Sequence, residues 1–496
     1  MNKVQRLASG MAWNYGSQVG TACAQFFYAA VTSRLVSSSG FGAYAIALTV
    51  AGLITVVSNG GLGQSVGRMT SLDTSALKGL SLYALILGVV AGSFMFLSAD
   101  LWSALWGYAD AAPLIAWLSV SALFAPHLGM TSGFIRREGR FRTLAFATFS
   151  TNLLGMALGL AIVVQDESGI GLIASPIIAQ LGLWITLTAL TRGQLLRVGA
   201  FKSARSDIGF SWGITLSSVL SYLANNLGKW SVSRWVGTAA LGQWNRSDVV
   251  TTVPFFQMQT AIIQVVYPEF RHDRVDSTRA RTVWPDLLAL VAWVTVPAGY
   301  VGAVLLPVVV PILFGPGWEQ AAVFASILSV VCGIQAVTTV LGSAVEALGK
   351  FKWIWSSQVI MICIQIVAVM ATIYSRSAVP AIIALGVVAV ARQIWYVTLC
   401  HRAGYIDAER LYRHYTYVLI GSLAAALVAQ LFVKSAGSIM ILVPTLTVIA
   451  GAATLYRFKE RFPPVVILRS YGVFRKRESR VSADWPEVPA VAKSEK

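Results

Sequence analysis

The sequence predicts an all-α polytopic membrane protein of about fourteen transmembrane helices, in which two parallel six-helix repeats are followed by two further helices. Three observations predict it: apolar runs of membrane-spanning length, a lopsided distribution of Lys and Arg between alternate loops, and a phrase that recurs 200 residues later. Of the 496 residues, 56% are hydrophobic and only 12% charged, more apolar surface than a soluble core can cover. A run of about 20 residues crosses ~30 Å of hydrocarbon at 1.5 Å per residue. Such runs fall near 11–33, 45–66, 80–98, 113–134, 143–164, 170–191, 209–233, 247–268, 285–305, 321–345, 354–375, 378–400, 415–433 and 439–456.

The first run is preceded by the basic MNKVQRLASG and studded with Asn14, Ser17, Gln18, Thr21 and Gln25, with no A-x-A-like cleavage site after it. It reads as a retained first helix rather than a signal peptide. Cys23, Cys332, Cys363 and Cys400 each sit in or beside an apolar run without CxxC spacing, which makes them packing residues.

An even number of spans places both termini on one side. The loops on that side include RREGRFR (136–142), RGQLLRVGAFKSARSD (192–207), RHDRVDSTRAR (271–281) and the tail from Arg457. They and their neighbours hold 31 of the 38 Lys and Arg residues; five lie opposite (Arg34, Arg234, Arg246, Arg376, Lys434), and Lys229 and Arg392 lie inside spans. This bias puts both termini in the cytoplasm. The net charge of +17 is therefore a topology signal and not a nucleic-acid footprint. The outer loops are short, and the aromatic residues Trp102, Trp106, Tyr108 and Trp318 in them suit a membrane interface. In the tail, the basic first part suits anionic lipid, and the end, ADWPEVPAVAKSEK, reads as disordered.

The recurring phrase is SRLVSSSGFGAY (33–44) against SRWVGTAALGQW (233–244). At the same offset Ser17 meets Ser217, Thr21 meets Ser221, Gln25 meets Asn225 and Gln64 meets Gln264. An offset of 210 sets DAAPLIAWLSV (110–120) on QAAVFASILSV (320–330) and GRFR (139–142) on GKFK (349–352). Six spans separate the copies, so the halves share one orientation, the plan of transporters whose pathway runs between parallel repeats. The expected division is 1–207 with its basic linker, 208–400, spans thirteen and fourteen within 401–456, and the tail 457–496.

Polar residues mark where the halves should meet. Asn14, Ser17, Thr21, Gln25, Tyr28 and Thr32 recur at three- and four-residue steps along one side of the first helix, as do Ser217, Ser218, Ser221, Tyr222, Asn225, Asn226 and Lys229 in the seventh. Ser and Thr in such stripes commonly serve helix packing. Lys229 is another matter, because a cation at depth costs on the order of 2.5 to 3.5 kcal/mol unless hydrated, paired or able to snorkel. It lies about four residues from the outer end of its span, so snorkelling and a cavity role are both open. For Arg392, nearer mid-span, the alternatives are a cavity or a structural partner. Arg34 and Arg234 close the first and seventh spans, as interface anchors or as an anion-attracting rim. Acidic residues such as Asp73, Asp166, Glu167, Asp286, Glu346 and Asp407 fall in loops or at span ends, which leaves almost no deep carboxylate for an organic-cation pump.

Enzymatic signatures are missing. GSAVEALGKF (342–351) has the wrong glycine spacing for a phosphate-binding loop, and His127, His272, His401 and His414 fall in no metal-ligand spacing. The outer acids Asp100, Asp110 and Glu319 are scattered singly, unlike the carboxylate-bearing loops of a membrane glycosyltransferase. No catalytic, cofactor or metal residue is expected.

LGQWNRSDVV (241–250), QVVYPEF (264–270), LPVVVPILFGPGWEQAAVFASILSV (306–330), SGFGAYAIA (39–47) and GGLGQSVGR (60–68) resemble the polysaccharide transporters, the Wzx-type flippases of the multidrug/oligosaccharidyl-lipid/polysaccharide exporter superfamily. The resemblance implies two six-helix lobes around a central cavity, two extra C-terminal helices, and export of a polyprenyl-diphosphate-linked oligosaccharide for exopolysaccharide, capsule or O-antigen synthesis. It implies as partners that lipid-linked sugar, the bilayer, a polysaccharide polymerase and a chain-length regulator. The family's basic cavity agrees with Lys229 and Arg392, beside Asn225, Asn226, Arg34, Arg234, Gln25 and Tyr222. Its motifs carry no invariant catalytic set to transfer. An ion-coupled exporter of organic cations and a polysaccharide polymerase or glycosyltransferase are the rival readings.

Single cysteines at Arg137, Ala200 and Ser479 should be shielded from an impermeant maleimide in intact cells, and cysteines at Ser38, Gly107 and Ser168 should react. Labelling of the first set would reverse the orientation.

Overall fold

The computed structural model describes residues 3–69, 74–166, 169–273 and 277–435, together with Pro464. The expected fourteenth span and the tail lie outside the described residues. The first half contains α1 (Lys3–Leu35), α2 (Ser38–Asn59), the short α3 (Leu62–Arg68), α4 (Thr74–Leu97), the short α5 (Ala99–Trp106), α6 (Ala111–Arg137), α7 (Phe141–Asp166) and α8 (Gly169–Leu190). A stretch with two short 3₁₀ turns leads to α9 (Arg205–Trp235), α10 (Thr238–Val250), α11 (Thr252–His272), α12 (Ser277–Phe314), α13 (Glu319–Ala347), α14 (Phe351–Ser375), α15 (Val379–Arg402) and α16 (Ala408–Ser435).

Among the described residues, eleven spans are long and apolar enough to cross a membrane, counting α2–α3 and α10–α11 as one each. The chain is thus an all-helical, multi-pass membrane protein, and eleven of the expected fourteen spans meet that criterion among the described residues. The expected first and seventh spans correspond to α1 and α9, of 33 and 31 residues. Their polar stripes dilute the hydropathy below that of a lipid-facing helix, although their length is ample.

Local signals set the helix ends. Ser37 caps α2, its Oγ accepting the Gly40 N–H at 3.3 Å. At the other end Gly60 and Gly61 take φ of +42° and +73°, a left-handed pair that L side chains resist. The chain turns there and starts α3. Two arginines close C-termini from a distance: Arg34 Nη2 donates to the Ile312 carbonyl at 2.9 Å and Arg376 Nη1 to the Trp235 carbonyl at 3.1 Å.

Helix packing follows one scheme in each half. In the first, α2 and α4 pack on α6, α7 on α8, α1 on α7 and α6 on α8; in the second, α10, α11 and α12 pack on α13, α14 on α15, α9 on α14 and α13 on α15. Then α16 lies against α12, tied by the Arg410–Asp286 ion pair at 2.8 Å. Asp286 is buried nine residues into α12, so the expectation that it sits at a span end is corrected. The apolar run that suggested a start near 285 misses the polar first turns of that helix.

The two copies of the repeated phrase meet each other. Where α2 crosses α10, a Cβ on Gly42 would strike the Thr238 carbonyl, and one on Gly242 the Ser38 carbonyl. Ser38 and Thr238, like Gly42 and Gly242, are 200 residues apart. Around this crossing the contacts are reciprocal. Trp318 Nε1 donates to the Ser33 carbonyl at 2.9 Å, and Ser233 Oγ donates to the Trp106 carbonyl at 3.1 Å. The Arg34 side chain runs past Gly315 (φ +87°), and that of Arg234 past Gly107 (φ +76°). All of this lies at the end of the bundle opposite the basic loops, hereafter the far end.

Small residues at such a crossing let two backbones approach in lipid, where packing rather than hydrophobicity holds helices together. Gly42→Val or Gly242→Val should lower thermal stability by about 1–3 kcal/mol or more, because the obstruction is backbone and cannot swing aside. Gly67→Ala, into open space, should change nothing. Equal melting temperatures for all three would remove the crossing from the account.

Candidate functional site

A cavity of about 970 Å³ opens at the basic end. It is walled by the α2–α3 turn, the second half of α6, the facing sides of α7 and α8, and α9. Glycines make the room: Gly63 and Gly133 bring α3 and α6 into backbone contact, and Asn59 folds over Gly129. Polar groups face the space. Asn59, Gln64, Asn152, Gln180, Thr215 and Ser218 line it with Arg136 and Arg137, and none of the described lining residues is acidic. Several of these side chains are held in place. Gln180 Nε2 donates to the Ser121 carbonyl at 2.8 Å, Asn152 Nδ2 to the Thr148 carbonyl at 2.7 Å, and Arg137 Nη1 to the Val66 carbonyl at 2.6 Å. Arg136 is exposed at the mouth. Chemically this is a hydrated vestibule with amide and hydroxyl groups for sugar hydroxyls and guanidinium groups for anions.

The vestibule continues along one face of α9. Thr215 and Ser218 belong to it, and Tyr222, Asn226 and Lys229 follow at four-, four- and three-residue steps, one stripe of a helix. These last three line a second cavity of about 190 Å³, with Ala45, Leu48 and Thr49 of α2 and Leu241 and Asn245 of α10. Tyr222 stands between the two spaces. Its hydroxyl donates to the Thr49 carbonyl at 2.9 Å, and it fits there because Gly52 has no Cβ for it to strike. Asn226 Nδ2 donates to the Tyr222 carbonyl at 2.9 Å.

Lys229 is paired. Its Nζ lies 2.8 Å from Asp248 Oδ2 on α10, with the two side chains 27% and 17% exposed, and 6.0 Å from the centroid of the Trp244 ring. The ammonium reaches sideways into the seam instead of snorkelling out along its own helix. Asp248 Oδ1 accepts the Thr252 hydroxyl at 2.9 Å. The expected shortage of deep carboxylates is therefore corrected. The eighth span begins at Thr238 rather than near 247, which carries Asp248 ten residues into the helix. The polar, glycine-bearing TAALGQWNRSD lowers local hydropathy enough to pass for a loop.

The same shift moves Arg246 out of its expected outer loop. It is 4% exposed, with its guanidinium carbon 3.8 Å from the centroid of the Phe41 ring. Nη1 donates to Ser33 Oγ at 3.3 Å and Nη2 to Asn245 Oδ1 at 3.0 Å. No carboxylate pairs with it among the described residues. A stacked, hydrogen-bonded guanidinium tolerates this better than an ammonium would.

Of the other expected residues, none lines the Lys229 cavity. Asn225 is exposed and donates to the Ser221 carbonyl at 2.8 Å, while Gln25 is half-buried on α1. Arg392 Nη2 donates to the Tyr396 hydroxyl at 3.3 Å, which sits 2.6 Å from Ser357 Oγ. Arg34 donates to the end of α12, and the Arg234 side chain lies against Gly107. The vestibule residues went unread, apart from Ser218 in its stripe, because they come from six helices and no single segment carries their pattern.

Comparison with known proteins bears on the fold and the family. The lipopolysaccharide biosynthesis protein WzxC of Escherichia coli (strain K12) is 23% identical over 354 residues, 70% of this chain and 71% of its own length. The succinoglycan biosynthesis transport protein ExoT of Rhizobium meliloti (strain 1021) is 21% identical, covering 65% of this chain and 66% of its own. Among solved structures, the lipid II flippase MurJ in an inward closed conformation superposes with a TM-score of 0.70 at 10% identity, over 91% of this chain and 99% of that one. An inward-facing multidrug resistance MATE family transporter of the MOP superfamily gives 0.60 at 14% identity, over 78% and 95%. At these identities the structures show the fold alone. A family model described as polysaccharide biosynthesis protein matches residues 31–323, well over half of the chain, and to that family the chain belongs.

Proposed function

We propose that this protein is a flippase that carries a polyprenyl-diphosphate-linked oligosaccharide from the cytoplasmic to the outer leaflet, and that it is a transporter rather than an enzyme. The observation that carries the reading is a polar stripe on α9 that joins two cavities: a 970 Å³ vestibule with no acidic residue among its described lining, then Tyr222, Asn226 and Lys229 beside the smaller one. A sugar headgroup needs amide and hydroxyl partners, and its diphosphate needs cations; both are present in that order. The curated relatives named for lipopolysaccharide and succinoglycan biosynthesis support the substrate class.

In this reading residues 1–207 and 208–400 are the two lobes, 401–456 is an accessory helix pair, and 457–496 is a cytoplasmic tail. The basic end faces the cytoplasm, the vestibule takes up the headgroup from the inner leaflet, and the clasped far end opens to release it. A polymerase and a chain-length regulator act next on the product. The rival, an ion-coupled exporter of organic cations, needs an available carboxylate on the path. Asp248 is a carboxylate beside that path, but Lys229 already pairs with it, which favours an anionic cargo.

Deletion of the gene should accumulate lipid-linked repeat units on the inner leaflet, detected by glycan extraction with sidedness probes. Lys229→Ala should abolish export at wild-type abundance, while Lys229→Arg retains part of it because the charge survives. Normal export by both Lys229→Ala and Lys229→Glu would remove Lys229 from the path, and absence of the accumulated lipid would remove the flippase reading itself.

A further inference from the structure

Lys229 does not face its cavity as a free cation. Its ammonium, with three donors, gives one to Asp248 at 2.8 Å and borders a 190 Å³ space, room for about six waters at ~30 Å³ each. Asp248 has a second partner of its own, the Thr252 hydroxyl at 2.9 Å, which comes from the helix that begins after the break at Thr251. Asp248 thus keeps a hydrogen bond if Lys229 leaves it. Lys229 has no second carboxylate among the described residues, and its remaining neighbours in the cavity, Asn226, Asn245 and Tyr222, are neutral.

We propose that Asp248 is a built-in stand-in for the substrate anion. It holds Lys229 while the site is empty, yields it to the diphosphate group of the headgroup, and recaptures it as the headgroup moves on. This rests on the flippase reading above and adds to it a positioning residue that acts through Lys229. The physical grounds are two. An unpaired ammonium within a span is costly, so an empty carrier needs a counter-charge. A site that bound diphosphate with its full charge would also retain it, and tight ground-state binding slows turnover. A single carboxylate solves both, because a diphosphate carries more charge and more acceptor oxygens and can displace it, whereas a neutral glycan cannot. The pair is therefore also a filter: only an anionic headgroup opens it.

The test is calorimetric titration of the purified full chain in nanodiscs with inorganic diphosphate. Removing the competitor should strengthen binding: Asp248→Asn should bind about tenfold more tightly than wild type, the scale of a close charge pair, while its flipping rate falls. The gain should vanish in the Lys229→Gln/Asp248→Asn double variant, which carries neither charge. If Asp248→Asn does not assemble, Asp248→Glu supplies the measurement, since the displaced carboxylate pairs less well and affinity should lie above that of wild type. Binding equal to or weaker than wild type in these variants, or a gain that survives in the double variant, overturns the proposal. A purely structural ion pair would lower stability without raising affinity. Because the titrant is diphosphate alone, tighter binding with no lipid-linked intermediate in the deletion strain would sink the flippase reading and not the exchange.

Discussion

The crossing of α2 and α10 at Gly42 and Gly242 is the contact on which the rest depends. It brings the backbones of the two halves together at the far end with no side chain between them, each glycine lying against a carbonyl of the other helix. Everything polar in the seam is placed by it. Thr49 and Gly52 on α2 face Tyr222 on α9 about two to three turns further in, and Asn245, Arg246 and Asp248 follow on α10. Without that approach Ala45, Leu48 and Thr49 of α2 would not wall the cavity that Lys229 borders.

The charges in the seam are handled by different means, according to what each side chain can form. Lys229, a compact and strongly hydrated cation, has a carboxylate. Arg246, buried more deeply, has a ring face, a serine and an asparagine instead, which its planar and weakly hydrated guanidinium can use. Asp286 and Arg410 at the basic end form a close pair that binds α16 to α12. Polar groups at the far end that bridge the halves mostly donate to backbone carbonyls: Trp318 to Ser33, Ser233 to Trp106 and Arg34 to Ile312. Such bonds hold a closed state and break without leaving a buried charge behind. Under the proposed transport cycle that distinction suits an interface which opens, whereas the α12–α16 ion pair suits one that stays shut.

Much of the architecture was legible because lipid demands it. Runs of apolar residues locate the helices, since nothing else satisfies the backbone in hydrocarbon. The doubled phrase was readable too, and its meaning is now specific: Ser38, Gly42, Thr238 and Gly242 face one another. What escaped the sequence follows from the same physics. Helices that face a seam instead of lipid are polar, so the starts of α2 and α10 read as loops, and Arg246 and Asp248 were placed at an edge. Lys229, Tyr222 and Asn226 could be picked out by their periodicity on α9, but the partner of Lys229 depends on a tertiary crossing that no local pattern encodes. Arg392 shows the converse, because a cation deep in a span finds a tyrosine on its own helix and does not line the Lys229 cavity.

The central claim is that headgroup passage requires the far-end crossing to part while the basic end closes. Cysteines at Ser38 and Thr238, bridged by a short bifunctional thiol reagent in proteoliposomes, test it most directly. The account predicts that the bridged protein still takes up headgroup analogue from the basic side and flips none, with flipping restored when a reducible bridge is cut. Undiminished flipping with the bridge in place would contradict it.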